Sequence, residues 1–115
     1  MKITIAGAGI GGLATAIALC KGGHQVTVAE RAPEITEVGA GIQISPNGMA
    51  VICFLGLKEA ISEVSIRAEA AHLYDGLNGR SVLSMNLKRD APDLHWTLVH
   101  RADLIELLLK AAEAA

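Results

Sequence analysis

This sequence has no cluster of like charges and no long apolar segment. Ten Lys and Arg residues accompany twelve Asp and Glu residues, giving a net charge of -2 over 115 residues. Because these charges are spread without runs, neither nucleic acid nor an anionic membrane surface is indicated as a partner. No uninterrupted apolar run approaches the roughly 18–20 residues that a membrane-spanning helix needs. We therefore expect a cytoplasmic protein that forms one domain or part of one.

Cysteine is scarce, and cysteine and histidine nowhere show the spacing of a metal site. Cys20 and Cys53 are the only cysteines. They are predicted to be buried, reduced thiols, with a catalytic thiol as the alternative. The four histidines are expected to be ordinary surface or core residues: His24, His72, His95 and His100. No metal is expected.

What the sequence does contain is glycine near its start, with four of its 12 glycines within residues 7–12. A short apolar strand over 2–6 runs into a pattern that fits G-x-G-x-x-G. In this motif the first glycine allows a tight turn, the second leaves room for a pyrophosphate, and the third lets helix and strand pack closely. N–H groups at the start of the following helix then face the phosphates. The predicted cofactor-binding residues of this turn are Gly7, Ala8, Gly9, Gly11 and Gly12.

A second predicted strand, over 25–29, is followed by the acidic residue Glu30. A carboxylate at this position accepts hydrogen bonds from the ribose diol of an adenosine and repels a 2′-phosphate. The motif and the acid together indicate a dinucleotide with a free ribose, FAD or NAD rather than NADP. The alternative is a β-α-β unit whose turn binds nothing, although four glycines would cost a purely structural turn backbone entropy.

The rest of the chain is predicted to contain further helices and a hairpin. Residues 31–45 are expected to be irregular, because Pro33, Gly39 and Gly41 interrupt them, but ordered, because they contain Ile35, Val38, Ile42 and Ile44. Ser45 and Pro46 are typical of an N-cap and a first helical position. The other predicted elements are helices over 13–21, 46–55 and 57–63, strands over 71–75, 80–85 and 95–100, a loop over 88–94, and a helix from residue 102 whose apolar face over 104–112 forms core.

The accumulated pattern resembles the N-terminal part of the single-component FAD-dependent aromatic hydroxylases, most closely the salicylate hydroxylase-like enzymes. The residues that carry the resemblance are ITIAGAGIGGLATAIALCKGGHQVTVAERAPEITEVGAGIQISPNG and, later in the chain, LVHRADLIELL. The part ERAPEITEVGAGIQISPN is more specific than the glycine motif, since NAD dehydrogenases lack it. The resemblance implies an α/β fold: a Rossmann-like β-α-β FAD-binding unit with additional helices and a β-hairpin, forming an incomplete domain over residues 1–115.

The resemblance also implies roles for residues beyond the glycine turn. Glu30 would bind the adenosine ribose, and Arg31 would lie beside the adenosine. The loop that approaches the ribityl chain and the isoalloxazine would contain Gly39, Ala40, Gly41 and Gln43, and Arg101 would contact the phosphate or ribityl part of FAD. For both arginines the alternative is a solvated surface charge.

The activity implied by the resemblance is that of an NADH- or NADPH-dependent flavin monooxygenase. Such an enzyme hydroxylates a small aromatic, salicylate-like substrate through a flavin C4a-hydroperoxide. The family's GDAAH-type segment does not occur here, so we expect the N-terminal part of an FAD-binding domain without the substrate domain and the C-terminal FAD-binding segments. This chain is expected to be inactive in hydroxylation by itself and to self-associate through apolar surface.

Two other functions stay open on the sequence alone. One is the cofactor module of an NAD-dependent dehydrogenase, and the other is a non-enzymatic module that senses or stores a dinucleotide. Measured affinities for FAD and for NADH would distinguish a dehydrogenase module from an FAD-binding one. Turnover would distinguish an enzyme from a non-enzymatic module. Whether the chain is itself an enzyme is therefore left open.

Overall fold

The computed structural model describes residues 1–33 and 40–115. Over these ranges the chain forms seven strands and five helices. In chain order they are β1 (Lys2–Ala6), α1 (Ile10–Lys21), β2 (Gln25–Ala29), β3 (Gly41–Ile44), α2 (Pro46–Phe54), α3 (Lys58–Val64), β4 (Ser65–Arg67), β5 (Ala70–Tyr74), β6 (Ser81–Asn86), α4 (Leu87–Asp90), β7 (Thr97–His100) and α5 (Arg101–Glu113). The α/β class expected from the sequence is confirmed.

The first three elements form the predicted β-α-β unit. β1 and β2 are parallel, with Ile3 opposite Val26, and their side chains alternate between an exposed and a half-buried face. This alternation is expected for a sheet covered on one side. Both strands have the predicted bounds. α1 begins at Ile10 rather than at residue 13, because Gly11 and Gly12 already lie in the helix.

A three-stranded antiparallel sheet follows, with β7 between β3 and β4. Ile42 of β3 and Ser65 of β4 both stand opposite Val99 of β7. The prediction that residues 31–45 are irregular is wrong for Gly41–Ile44, which form β3. These residues become a strand because β7, from a distant part of the chain, supplies their hydrogen-bonding partner. Residues 34–39, with the predicted flavin-loop residue Gly39, lie outside the described residues.

β5 and β6 form the predicted hairpin. The Asp75 carboxylate accepts hydrogen bonds from the Leu77 N–H at 2.8 Å and from the Asn78 side-chain amide at 2.7 Å. Gly79 closes the turn with a φ of +70°, a conformation that glycine adopts without strain. All six residues of β6 are exposed, so the hairpin packs little against the rest of the described chain.

The shorter elements differ from the prediction mainly at their ends. α2 begins at Pro46, with Ser45 at the N-cap position, and ends at Phe54. The predicted loop over 88–94 starts as the short helix α4, capped by the Asn86 side chain. β7 begins at Thr97 instead of residue 95. The three-residue strand β4 was not expected, because so short a segment carries no periodic signal.

The core lies where α1 and α5 pack against each other and against the three-stranded sheet. Its most deeply buried side chains are Leu13, Ile61 and Leu108. The predicted core face of the last helix is confirmed, since Leu104, Ile105 and Leu108 are all buried. One cluster of buried residues includes members of α1, β3, β7 and α5. The glycine-rich turn is therefore anchored on the same core as β3.

The prediction that both thiols are buried is wrong, because neither is fully buried. Cys20 is half-buried on α1, but Cys53 is exposed on α2. α2 buries only Ile52 and leaves Val51 and Phe54 in solvent, so its apolar composition did not reveal which face is covered. In the part of the chain that the structure describes, no helix has the length and apolar character needed to cross a membrane.

Candidate functional site

Gly7 forms the turn between β1 and α1 with a backbone conformation that other residues rarely adopt. Its φ is +102°, where a residue with a Cβ is strained. Its N–H donates to the Ala29 carbonyl oxygen at 2.7 Å, which carries the pairing of β1 with β2 into the turn. Glycine is thus required here by the backbone conformation itself.

The other three glycines of residues 7–12 divide into one that is packed and two that are open. A Cβ on Gly12 would lie 2.0 Å from the Gly7 carbonyl oxygen, so α1 can approach the turn only because residue 12 lacks a side chain. At Gly9 and Gly11, no non-neighbouring atom of the described residues lies within 4 Å of a Cβ position. The open surface is therefore on the side of the turn where the motif places a pyrophosphate.

The start of α1 faces this open surface. Gly9 is the N-cap residue, and the first turn contains no acidic side chain. Leu13 donates its N–H to the Gly9 carbonyl oxygen at 3.0 Å, whereas the N–H groups before Leu13 in the helix have no intrahelical partner. The helix dipole adds partial positive charge at this end. Such a helix start is suited to a phosphate group.

Glu30 reaches back from the end of β2 to the same turn. Its Oε2 accepts the Ala8 N–H at 2.7 Å, and its Oε1 accepts the Ala32 N–H at 2.8 Å. Hydrogen bonds from Ala32 and then Ala8 hold the pKa of Glu30 below its usual range, and the backbone and charge of Arg31 lower it further. The structure thus places the Glu30 carboxylate at the glycine turn, and Arg31 beside Glu30.

A second group of predicted residues lies at the junction of β3 and α5. The Arg101 N–H, at the start of α5, donates to the Ala40 carbonyl oxygen at 2.9 Å. Gly41 and Gln43 are exposed on β3 and, being two positions apart, share one face of the sheet. Among the described residues, no non-neighbouring atom lies within 4 Å of a Cβ position on Gly41. The segments around residues 41 and 101 are thus adjacent.

One further residue, His100, lies beside this group. His100 stands directly opposite Gly41 in the pairing of β3 with β7, so its side chain is on the same face as Gly41 and Gln43. It is exposed. Its exposure agrees with the expected surface histidine, and its place beside Gly41 is not visible in the sequence because only the pairing of two distant strands creates it.

α5 connects the two groups. It begins at Arg101, beside Ala40, and its last turns line a groove of about 280 Å³ that also contains Ala8 and Glu30. The residues of α5 in this groove are Leu109, Ala112 and Glu113. At 1.5 Å per residue, the 13 residues of α5 span about 20 Å. The glycine turn and β3 therefore lie toward opposite ends of α5.

Comparison with protein-family models matches residues 1–115 to the FAD binding domain family. Among curated proteins, the chain is 36% identical over 113 residues to 3-hydroxybenzoate 6-hydroxylase 1 of Aquipseudomonas alcaligenes, covering 96% of this chain and 29% of that protein. It is also 36% identical over 113 residues to a salicylate hydroxylase of Pseudomonas putida, covering 95% and 26%. The chain thus spans less than a third of the length of these relatives.

Solved structures show the same likeness. The tetrameric form of 2-methyl-3-hydroxypyridine-5-carboxylic acid oxygenase matches with a TM-score of 0.84 and 28% identity, over 98% of this chain and 29% of that one. HpxO of Klebsiella pneumoniae, solved in complex with FAD, matches with a TM-score of 0.79 and 28% identity, over 96% and 28%. The resemblance identified from the sequence is confirmed.

Proposed function

The chain belongs to the FAD binding domain family, and from that premise we propose that FAD lies along α5, with its adenosine end at the glycine turn and its flavin end at β3. The pyrophosphate is assigned to Gly7, Ala8, Gly9, Gly11 and Gly12. Glu30 binds the ribose diol, and Arg31 lies beside the adenosine. Gly41 and Gln43 contact the flavin, and Arg101 contacts the phosphate or ribityl part.

The observation that carries this proposal is the geometry of the glycine turn. Gly9 and Gly11 leave open space over the start of α1, and the Glu30 carboxylate is bonded to the same turn at 2.7 Å. A diphosphate over the helix start and a ribose at the carboxylate are neighbours in adenosine diphosphate. These residues therefore fit the adenosine half of a dinucleotide.

The second group of residues favours FAD over NAD. Gly41 presents bare backbone at an exposed strand about one α5 length from the Glu30 groove. A flat ring system can approach a backbone that has no side chain. The segment that contains Gly41 and Gln43 is also the part of the sequence by which the aromatic hydroxylases differ from NAD dehydrogenases.

Bound FAD supplies the redox chemistry of a monooxygenase, and the protein supplies binding and orientation. We propose that the activity served is the NADH- or NADPH-dependent hydroxylation of a small aromatic compound, since the relatives named above are hydroxylases of such compounds. The chain alone is expected to be inactive in this reaction. A cytoplasmic location and assembly into a homo-oligomer remain predictions.

Titration of the chain with FAD and, separately, with NADH tests the cofactor assignment. We expect flavin fluorescence to change on binding and NADH fluorescence to stay constant. A response to NADH without a response to FAD would support the dehydrogenase module instead. Hydroxylation cannot be tested by this titration, so NAD(P)H consumption with an aromatic acid must be measured after the chain is joined to the remaining part of a relative.

A further inference from the structure

The turn that we assign to the pyrophosphate is fastened to the end of β2 at two consecutive N–H groups. The Gly7 N–H donates to the Ala29 carbonyl oxygen at 2.7 Å. The next N–H, that of Ala8, donates to Oε2 of Glu30, also at 2.7 Å. The first of these bonds is between backbone atoms, whereas the second depends on one side chain.

We infer that Glu30 is a positioning residue for the diphosphate: its carboxylate holds the Gly7–Gly9 turn against β2, so that the start of α1 is presented to the phosphates. This inference rests on the proposed function. It adds a role that is distinct from binding of the ribose. It also assigns the Ala8 N–H to Glu30, which leaves the phosphates to the N–H groups that follow it.

The carboxylate has the capacity for both roles at once. An ionised carboxylate offers about four lone-pair positions, and the Ala8 and Ala32 N–H groups use one on each oxygen. Two positions remain for the hydroxyl groups of a ribose. Without the carboxylate, the Ala8 N–H loses the hydrogen-bond partner that the structure gives it. Loss of Glu30 would therefore release the turn as well as the ribose.

Simple electrostatics predicts the opposite effect on a diphosphate. Glu30 is an anion beside a site for an anion, so neutralising it would strengthen the binding of phosphates through the loss of repulsion. Positioning of the turn predicts weaker binding. The sign of the effect therefore distinguishes the two, provided that the ligand lacks the ribose hydroxyl groups.

The experiment compares ADP with 2′,3′-dideoxy-ADP, measured by calorimetry on the wild-type chain, Glu30→Gln and Glu30→Ala. A glutamine has one acceptor oxygen and can replace only one of Oε1 and Oε2, whereas an alanine accepts neither N–H. We expect dideoxy-ADP to bind several-fold more weakly to Glu30→Gln than to the wild type, and more weakly still to Glu30→Ala. Unchanged or stronger binding of dideoxy-ADP to both variants overturns the inference.

Glu113→Gln is the matched control. Glu113 of α5 lines the same groove as Glu30, so this variant removes the same charge from the groove and leaves Glu30 and its bonds to the turn in place. We expect its affinity for dideoxy-ADP to be equal to or higher than that of the wild type. If Glu113→Gln weakens binding as much as Glu30→Gln does, the weakening does not depend on the bonds of Glu30 to the turn and the positioning role is wrong.

A second measurement uses the wild-type chain without ligand and does not depend on the folding of a variant. An amide proton that donates to a carboxylate changes its NMR chemical shift when that carboxylate is protonated. The Ala8 and Ala32 amide protons should therefore titrate together as the pH is lowered. An Ala8 amide that does not respond to this titration overturns the inference even if FAD binds.

Failure of the proposed function has a different signature. In that case neither ADP nor FAD binds to the wild type. The positioning role toward a diphosphate is then wrong as well, even if the Ala8 amide responds to pH. If ADP and FAD bind to the wild type but the affinity for dideoxy-ADP is the same in the Glu30 variants, the proposed cofactor site is retained and only the positioning role is wrong.

Discussion

The carbonyl oxygen of Gly7 lies 2.0 Å from the point at which a Cβ of Gly12 would stand. The turn and the first turn of α1 are therefore in backbone contact, and no side chain fits between them. Gly7 in turn has a φ of +102°. The two glycines depend on each other, because the unusual conformation of the first directs its carbonyl oxygen at the second.

Gly12→Ala should destabilise the fold. The new methyl group would overlap the Gly7 carbonyl oxygen, and neither backbone segment can move without disturbing the pairing of β1 with β2. We expect a loss of about 1–3 kcal/mol, the usual cost of overpacking, in the free energy of unfolding measured with urea. Gly11→Ala is the control, because its Cβ points into open space and alanine favours a helix by up to about 1 kcal/mol. Equal losses in both variants would contradict the contact.

Gly9→Val should separate folding from binding. The backbone of Gly9, with φ -74° and ψ 179°, is one that any residue adopts, and no non-neighbouring atom of the described residues lies within 4 Å of its Cβ position. The free energy of unfolding should change by about 1 kcal/mol or less, since the only loss is that valine is a poorer N-cap than glycine. Affinity for both FAD and ADP should fall at least about tenfold, equivalent to 1.4 kcal/mol. Wild-type affinity for ADP would exclude a phosphate site at Gly9.

Gly41→Val should affect the other end of the proposed site. β-Branched residues suit strands, and the Cβ position of Gly41 is open among the described residues, so the fold should be retained. We expect FAD to bind at least about tenfold more weakly, whereas the affinity for ADP stays that of the wild type. Because Gly9→Val lowers both affinities, the two variants together test whether FAD extends from the turn to β3. A parallel loss of ADP binding in Gly41→Val would contradict this.

The stability of the fold should depend on the ionisation of Glu30. Its pKa is lowered in the folded protein by hydrogen bonds from Ala32 and Ala8, so folding favours the ionised form. The resulting stabilisation is complete above the ordinary pKa of glutamate and is lost as the pH falls through the lowered pKa of the folded state. Urea unfolding should thus show wild type more stable than Glu30→Gln at neutral pH, with the difference shrinking in acid. A difference that stays constant or grows on acidification would disprove this assignment.

The chain should self-associate through the hairpin of β5 and β6. Every residue of β6 is exposed, including Val82 at 62% and Leu83 at 48%. Exposed apolar strands with free edges pair readily with other chains, and lysine on such a strand prevents it. We expect light scattering to show species larger than a monomer, and Val82→Lys to shift the distribution toward monomer. A wild-type chain that is monomeric at all concentrations would contradict the prediction.

The sequence predicts the β-α-β unit well because its signals are local. The glycines of residues 7–12 and Glu30 lie in one short segment, where the motif, the strand pattern and the acid all agree. β3 was missed because Gly41 reads as a loop residue until β7 provides its pairing partner. The position of His100 beside Gly41 depends on the same pairing. The exposure of Cys53 is not predictable from the sequence either. α2 is apolar on several sides, and only its packing decides which side is covered.

The hydrogen bond from the Ala8 N–H to Glu30 is also not predictable from the sequence. The motif predicts a ribose partner at residue 30, but nothing in the spacing tells whether its carboxylate also binds the turn. That depends on how closely β2 lies beside β1 and on the direction of the Ala8 N–H. The roles of single residues are therefore predictable from the motif, whereas the contacts between them depend on the three-dimensional structure.

The pairing of β3 with β7 joins residues 41–44 to residues 97–100, whereas everything from β1 to Glu30 is formed by neighbouring segments. Closing a long loop takes more time than forming contacts between nearby residues. Although β1, α1 and β2 are neighbours in the chain, the groove beside Glu30 is completed by Leu109, Ala112 and Glu113 of α5. Both ends of the proposed pocket therefore need the last part of the chain, so nascent chains should become competent for ADP and for FAD only after α5 has left the ribosome.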